Sequence, residues 1–546
     1  MPYLPVIDLV REHLDNLYSC GVSALMVSWT LGGYPSANLA LAARYYWDDK
    51  TASGTHASSD IAETAQTLFS QAFRSFPFHV GVLYRCPQNY GPMNLLLPRP
   101  SGYSATMIGF PYDDLKSWRS IYPEDVFINQ LAKLCTDWEK GLDLLEKAPS
   151  EPRLEELKRV ARAAWIHFKS TLLQARYVQL RDAIPDEADV EAYNGFIRKG
   201  LIQDVIRQEG DLAAAMWQII QKDSRIGFEA SNHYYYTESS FKEKVLNTQY
   251  LLHQIFVPIV RQADIEASLR QLGIKAGDIV LVHSSLSSLG KVEHGAQSVI
   301  AAFEAVLGQE GTLVFPTLCQ NDFTRSYETW HLDKPSDVGY LTEYFRKLPN
   351  VYRSDQATHS VAARGRRAYE LTTGHTAFGP RYGIFGDYAF SRSSPWQKMY
   401  DQNAKVVFLG VSMRKNTFKH FMEYIVVDEA LAKISNPEDR DRLKNRIWNF
   451  ARFEDHEGLV WPFHDAEQLQ QKLDESGLIR KTLCNEATIL CVNVRDMVDH
   501  GLKWFAEDPD TWYKADTLAW LQDARNACDS NLPAEETQTK GDACHG

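Results

Sequence analysis

Two short stretches of the chain hold residue types that could do chemistry together. The first is Gly277–Gly290, G-D-I-V-L-V-H-S-S-L-S-S-L-G, where an apolar run ends in His283 and four serines. Small residues at a strand exit can turn several backbone N–H groups and hydroxyls toward one point, which is what holding a phosphate or pyrophosphate requires. A plain turn is the alternative, since serine clusters commonly do no more than that. The second stretch is N-T-F-K-H-F-M-E, residues 416–423, in which His420 and Glu423 stand three apart and so share one helix face. His420 falls in the first turn, where the positive end of the helix dipole disfavours imidazolium. A neutral imidazole is what a general base needs at pH 7, and a nearby carboxylate can orient the ring and stabilise its protonated form. The competing reading is an ordinary surface pair, worth about 0.2–0.5 kcal/mol.

The elements that must position these residues alternate between strand and helix. Ile279–Val282 reads as a buried strand, and residues 295–307 as a helix with Val299, Ile300, Phe303 and Val306 on its apolar face. Gly311 then turns into T-L-V-F-P-T, a second buried strand, so the unit is β-α-β within a parallel or mixed sheet. A short helix at 264–272 precedes it, with Asp264 or a neighbour as N-cap. Another helix is expected from Ser336, with Gly339 allowing close approach. R-S-D-Q-A-T-H-S-V-A-A-R-G, 353–365, reads as a strand of alternating character carrying His359. Residues 404–411 form a further buried strand, and the helix after it starts at Asn416 or Thr417.

The first half has a different texture. Residues 11–20 are amphipathic, V-S-A-L-M-V-S-W-T leads as a strand to Trp29 before a Gly-rich loop, and a helix pattern runs over 61–75. Residues 77–120 are irregular and rich in Pro, Gly and aromatics, a composition more often functional or interface-forming than idle. Helices dominate from Pro123 to about Gly210, and Glu151–Asp182 is apolar at bundle spacing. The expected division is therefore a mainly helical domain over 1–250 with a remnant barrel-like strand, an α/β domain over 251–515, and a polar, flexible tail over 516–546.

Composition narrows the function classes. With 546 residues, 44% hydrophobic and 23% charged, the chain can bury several cores. A net charge of −12 argues against a general nucleic-acid binder and favours cationic small molecules, or simply solubility. Eight cysteines without a C-x-x-C suggest reduced thiols in a cytoplasmic protein, with no zinc site. No signal peptide or membrane span is evident.

Seven pieces of the second half occur in an order that resembles the aminoglycoside 3-N-acetyltransferase (antibiotic N-acetyltransferase) family. They are the His-Ser-Ser stretch above, E-G-T-L-V-F-P-T, P-S-D-V-G-Y-L-T-E, R-S-D-Q-A-T-H-S-V-A-A-R-G, S-S-P-W, V-V-F-L-G-V and N-T-F-K-H-F-M-E. Over about residues 258–515 the resemblance implies an α/β/α acetyltransferase, unrelated to the GNAT fold, that uses acetyl-CoA and a cationic aminosugar. It needs no metal, and homodimerisation is left open. It implies His420 as the base, Glu423 as its partner, and His359 and His283 near the reaction centre. Ser284, Ser285, Leu286, Ser287, Ser288, Leu289 and Gly290 would line the path of the diphosphate and pantetheine, with Thr317 and Ser360 as further cofactor contacts. The chain departs from the family pattern at His294-Gly295, at Ala357 and in F-S-R-S-S-P, 390–395. Acidic residues Glu454, Asp455, His456 with them, and Asp465 would suit a cationic acceptor. The first half is similar to the C-terminal part of uncharacterised glycoside-hydrolase-like proteins, on V-S-W-T-L-G-G-Y-P-S, G-F-P-Y-D-D-L and G-F-E-A-S-N-H-Y-Y-Y-T. One barrel strand cannot close a barrel, so no glycosidase activity is expected. The alternative function is a non-catalytic carbohydrate-binding or scaffold protein that keeps the acetyltransferase fold.

Overall fold

A computed structural model describes residues 4–26, 36–47, 60–107, 110–224, 226, 236–319, 329–376, 389–450 and 466–529. The chain divides into two units, Met1–Pro258 and Ile259–Gly546.

The described residues of the first unit form helices and irregular segments, with no strand among them. The expected strand before Trp29 is irregular as far as Met26, and Trp29 and the Gly-rich loop lie outside the described residues. The core is an aromatic stack between the Ile61–Phe73, Glu124–Glu146 and Pro152–Asp182 helices, where Phe69 lies 4.5 Å from Trp138 and Trp138 5.3 Å from Phe168. Gly141 makes that approach feasible, because a Cβ there would sit 2.4 Å from the Phe69 ring. Beneath the irregular segment lies a buried ion pair, Lys244 Nζ to Glu209 Oε2 at 2.8 Å, with neither side chain exposed. Burial pushes the Glu209 pKa up and the Lys244 pKa down, and the partner's charge opposes each shift. No helix of the described residues is long and apolar enough to cross a membrane.

The second unit is α/β, built on a seven-stranded mixed sheet. Its strands, with a separate two-stranded ladder, are β1 (Ile259–Val260), β2 (Ile279–Ser284), β3 (Lys291–Val292), β4 (Thr312–Pro316), β5 (Tyr352–Arg353), β6 (Val361–Gly365), β7 (Lys405–Leu409), β8 (Arg480–Cys484) and β9 (Ala487–Asn493). The sheet order is β5-β6-β4-β2-β7-β9-β8, and β1 pairs with β3 apart from it. β2 is central and parallel to both β4 and β7, while the outer pairings are antiparallel.

The period-2 alternation of β2 explains the layers. Val280 and Val282 join a core with the Gln262–Gln271, Ala296–Leu307 and Tyr340–Arg346 helices, through Leu269, Phe303 and Phe345. Ile279 and Leu281 join the opposite core with the Pro395–Asp401, Phe418–Ala432, Ala466–Glu475 and Val494–Glu507 helices. After β2 the chain passes to a helix on the first face, and after β7 to a helix on the second. Neighbouring parallel strands whose connections leave in opposite directions open a crevice at their carboxyl ends, where ligands of open α/β sheets bind.

Four boundary expectations are corrected. Asp264 is the third residue of its helix, not the cap; its carboxylate accepts the Arg261 N–H at 2.9 Å. The helix expected from Ser336 begins at Tyr340: Gly339 sits at φ +139°, with open space around its missing Cβ, so it serves conformation rather than close approach. Residues 353–365 are two strands separated by a turn, and His359 lies on the turn. The tail is helical over Ala515–Asp529, because Trp520, Ala524 and Ala527 recur at helical spacing and enter the core, where the Trp520 indole N–H donates to Leu443 O at 2.9 Å. Glu454, Asp455, His456 and Asp465 lie outside the described residues.

Candidate active site

The crevice between β2 and β7 is built from the exits of both strands. Ser285 N–H donates to Leu409 O at 2.9 Å, and the Ser288 hydroxyl donates to Gly410 O at 2.9 Å. Gly410 is at φ +66°, and a Cβ on it would lie 2.5 Å from Ser288 Cβ, so the two exits close on each other only with glycine there. Leu286–Leu289 makes one 3-10 turn that leaves Ser287 and Ser288 exposed and Ser284 and Ser285 half-buried. The Ser285 and Ser287 hydroxyls are 3.1 Å apart. Leu289 is a correction to the expected loop lining: it is fully buried in the core of the first face. Further on, His294 and Gly295 both take positive φ, +55° and +58°. The His294 departure thus keeps a backbone state that glycine adopts without strain and histidine does not.

The Phe418–Ala432 helix carries the second set. Thr417 is its cap position, and the Asn416 side chain accepts the Phe418 N–H at 3.1 Å, satisfying one of the donors that a helix start leaves open. His420 is the third helical residue. Its Nδ1 lies 2.8 Å from Glu423 Oε2, with the two side chains 16% and 4% exposed. An ionised carboxylate only accepts, so Nδ1 carries the proton and Nε2 is the acceptor nitrogen. Desolvation, with Lys419 adding to it, holds the His420 imidazolium pKa well below its ordinary value. The surface-pair reading fails on this burial.

His359 meets His420 edge to face, ring centroids 5.9 Å apart. Burial, with His420 and His375 adding to it, pushes the His359 pKa well below the ordinary value as well. Phe390 packs on both rings, at 4.8 and 6.4 Å, and the Trp396 indole N–H donates to His359 O at 3.1 Å. His283 takes a different neighbour. It stacks on Phe408, its register partner across β2 and β7, with centroids 5.3 Å apart, and its buried Nε2 has no hydrogen-bond partner among the described residues. Desolvation lowers its pKa to about 3. By alternation it faces the same side of the sheet as the His420 helix.

Thr317 and Ser360 are fully buried, which corrects their expected cofactor contact. Their hydroxyls lie 3.0 Å apart, and Arg353 Nε reaches both, at 3.2 and 3.3 Å. Arg353 also donates to Thr317 O at 2.7 Å and to Leu332 O at 2.8 Å, so the trio braces the segments leading to the His359 turn. Sequence reasoning missed Arg353, Gln356, Phe390 and Gly410, although Arg353, Gln356 and Gly410 sit inside motifs that resembled the family and Phe390 opens the stretch noted as departing from it. Among the described residues no group of three or more His, Cys, Asp and Glu could hold a metal ion.

A family model described as aminoglycoside 3-N-acetyltransferase matches residues 281–506. The chain is 26% identical over 263 residues to the SPbeta prophage-derived aminoglycoside N(3')-acetyltransferase-like protein YokD of Bacillus subtilis, covering 44% of this chain and 90% of that one. It is 26% identical over 272 residues to aminoglycoside N(3)-acetyltransferase III of Serratia marcescens, covering 44% and 96%. A solved structure described as AAC-IIIb binary with CoASH is 20% identical, with a TM-score of 0.37, covering 46% of this chain and 97% of that one. The family and sequence matches identify residues 281–506 as an acyltransferase domain.

Proposed function

We propose that the chain is an acetyl-CoA-dependent N-acetyltransferase acting on an amine of an aminoglycoside or related aminosugar, with His420 as general base in a ternary complex. The observation that carries this reading is the buried His420–Glu423 pair beside His359, in the half of the chain that matches the family. The acceptor ammonium must lose a proton before its nitrogen can attack, and a neutral imidazole is the group to take it. His420 receives that proton on Nε2, and Glu423, holding Nδ1–H, steadies the imidazolium as it forms.

The serine loop fits the co-substrate. Ser285, Ser287 and Ser288 present hydroxyls at the strand-end crevice, and Gly290 at φ +73° turns the backbone there. These residues, with Ser284, Leu286 and Gly290, would hold the diphosphate and pantetheine. Acetyl-CoA supplies the acetyl group as a thioester whose C–S bond breaks as the new C–N bond forms, CoA leaving as the thiol. His359 lies beside the base, and His283 lines the same face of the sheet at the end of β2. A thiol-release assay with acetyl-CoA across a panel of aminosugars tests the reading. Acceptor-dependent thiol release supports it, and release no faster than without acceptor across the whole panel counts against it.

A further inference from the structure

The irregular, aromatic-rich segment of the first unit presents a row of rings to solvent. Tyr103 meets Tyr112 with centroids 5.4 Å apart, Tyr112 meets Phe110 at 5.8 Å, and Phe110 meets Tyr90 at 5.9 Å. Successive planes are tilted by 34°, 41° and 38°, so the rings touch without covering one another's faces. Tyr103 is 67% exposed and Phe110 60%. Among the described residues no Lys or Arg lies over the Tyr103, Tyr112 or Phe110 ring. An exposed cluster of such large rings marks an interaction surface.

The row is held from beneath. Buried side chains grip three consecutive residues: the Trp118 indole N–H donates to Pro111 O at 2.8 Å, the Asn94 amide N–H donates to Tyr112 O at 3.1 Å, and the Asp113 carboxylate pairs with Arg181. Asn94 is fixed in turn by Gln174, whose Oε1 accepts from it at 2.7 Å. Tyr112 sits at φ +49°, a state that bulky residues rarely adopt. A strained backbone clamped at three successive residues to display exposed rings is preorganised for a ligand.

The surrounding charge and hydrogen bonds select that ligand. Residues 101–114 contain Asp113 and Asp114 but no Lys or Arg, in a chain of net charge −12. A stacking platform for single-stranded nucleic acid needs a basic groove, which this stretch does not supply. An extended peptide needs an open backbone edge. Here Ser101 N–H donates to Asp113 at 3.0 Å, Ala105 N–H to Asp114 at 2.8 Å and Thr106 N–H to Phe110 O at 3.2 Å. Ring faces attract an ammonium group placed over them, and the C–H faces of a sugar pack on the same rings.

We propose that Tyr103, Tyr112 and Phe110 form a binding site of the first unit for a protonated aminosugar. The choice of a sugar rests on the acetyltransferase reading, whereas the choice of a cation rests on the row and its charge. Calorimetric titration of the full chain with a glucosamine tetrasaccharide, at about pH 6 where its amines are protonated, tests it. The variant Tyr103→Ala with Phe110→Ala removes two rings that are more than half exposed, so it should fold. It should bind the tetrasaccharide about 5–30-fold more weakly than the wild type. The fully N-acetylated tetrasaccharide keeps the C–H faces but not the charge, and should bind the wild type at least about fivefold more weakly. Equal affinity of wild type and variant for the glucosamine tetrasaccharide overturns the assignment, as does equal affinity of the wild type for the two sugars. Row-dependent binding of a single-stranded oligonucleotide, with none of the tetrasaccharide, overturns it too. Row-dependent sugar binding without any acceptor-dependent thiol release would leave the site standing and refute the acetyltransferase reading instead.

Discussion

Glu423→Gln separates the charge of the His420 partner from its shape. The amide oxygen can still accept Nδ1–H at the position of Oε2, now 2.8 Å away, and the site is too enclosed for water to substitute freely. A hydrogen bond to a charged group contributes about 1.5–3 kcal/mol and a neutral one about 0.5–1.5. The difference, about 1–1.5 kcal/mol, is felt as the imidazolium forms and corresponds to about a 5–13-fold loss in kcat. Removing the carboxylate also removes a negative charge that favours the imidazolium form. The acidic limb of the pH–rate profile, already below the ordinary histidine range because of burial, should therefore move further down. Thiol release measured at saturating acetyl-CoA from about pH 5 to 9 reads both effects. Wild-type kcat with an unmoved limb would show that Glu423 does not act on the base, and the pair would be structural only.

Three further outcomes follow from the packing. Gly410→Ala adds a Cβ 2.5 Å from Ser288 Cβ at φ +66°, so calorimetry should show acetyl-CoA affinity reduced at least tenfold, about 1.4 kcal/mol; unchanged affinity in a folded variant would separate the serine loop from the co-substrate. Lys244→Met strands the Glu209 carboxylate in the first unit and should cost about 3–5 kcal/mol in urea denaturation, most of it recovered in Lys244→Met with Glu209→Leu; strictly additive losses would contradict the pairing. His283 has a folded pKa of about 3 against about 6.5 unfolded, so the unfolded chain binds the proton first. Its contribution to stability is complete above the unfolded value and is lost as pH falls toward 3, at about 1.4 kcal/mol per unit. His283→Phe keeps the stacking on Phe408 and should flatten the acid slope by that amount, and an unaltered slope would refute the burial argument.

What was legible in the sequence was local. The four apolar residues of β2 and the three-residue spacing of His420 and Glu423 each state their geometry within one turn or strand, and both are found as read. Parity was the first thing missed: Leu289 sits among loop serines, yet one 3-10 turn carries it into the core. Tertiary partners were the second. Thr317 and Ser360 look like ligand hydroxyls until Arg353, from a different strand, occupies them. The His359 turn reads as strand because nothing local marks a glutamine three residues upstream as its brace. In the tail, polar residues outnumber Trp520, Ala524 and Ala527, but it is those three whose spacing decides the helix.

The most direct test of the account is His420→Ala, assayed at saturating acetyl-CoA with an aminosugar that the wild type acetylates. Positioned general-base catalysis is worth about 10²–10⁴-fold, so kcat should fall by that factor while acetyl-CoA affinity stays near normal, and the acidic limb should disappear. Near-wild-type turnover in His420→Ala, with activity abolished in His359→Ala, would contradict the account and move the base to His359.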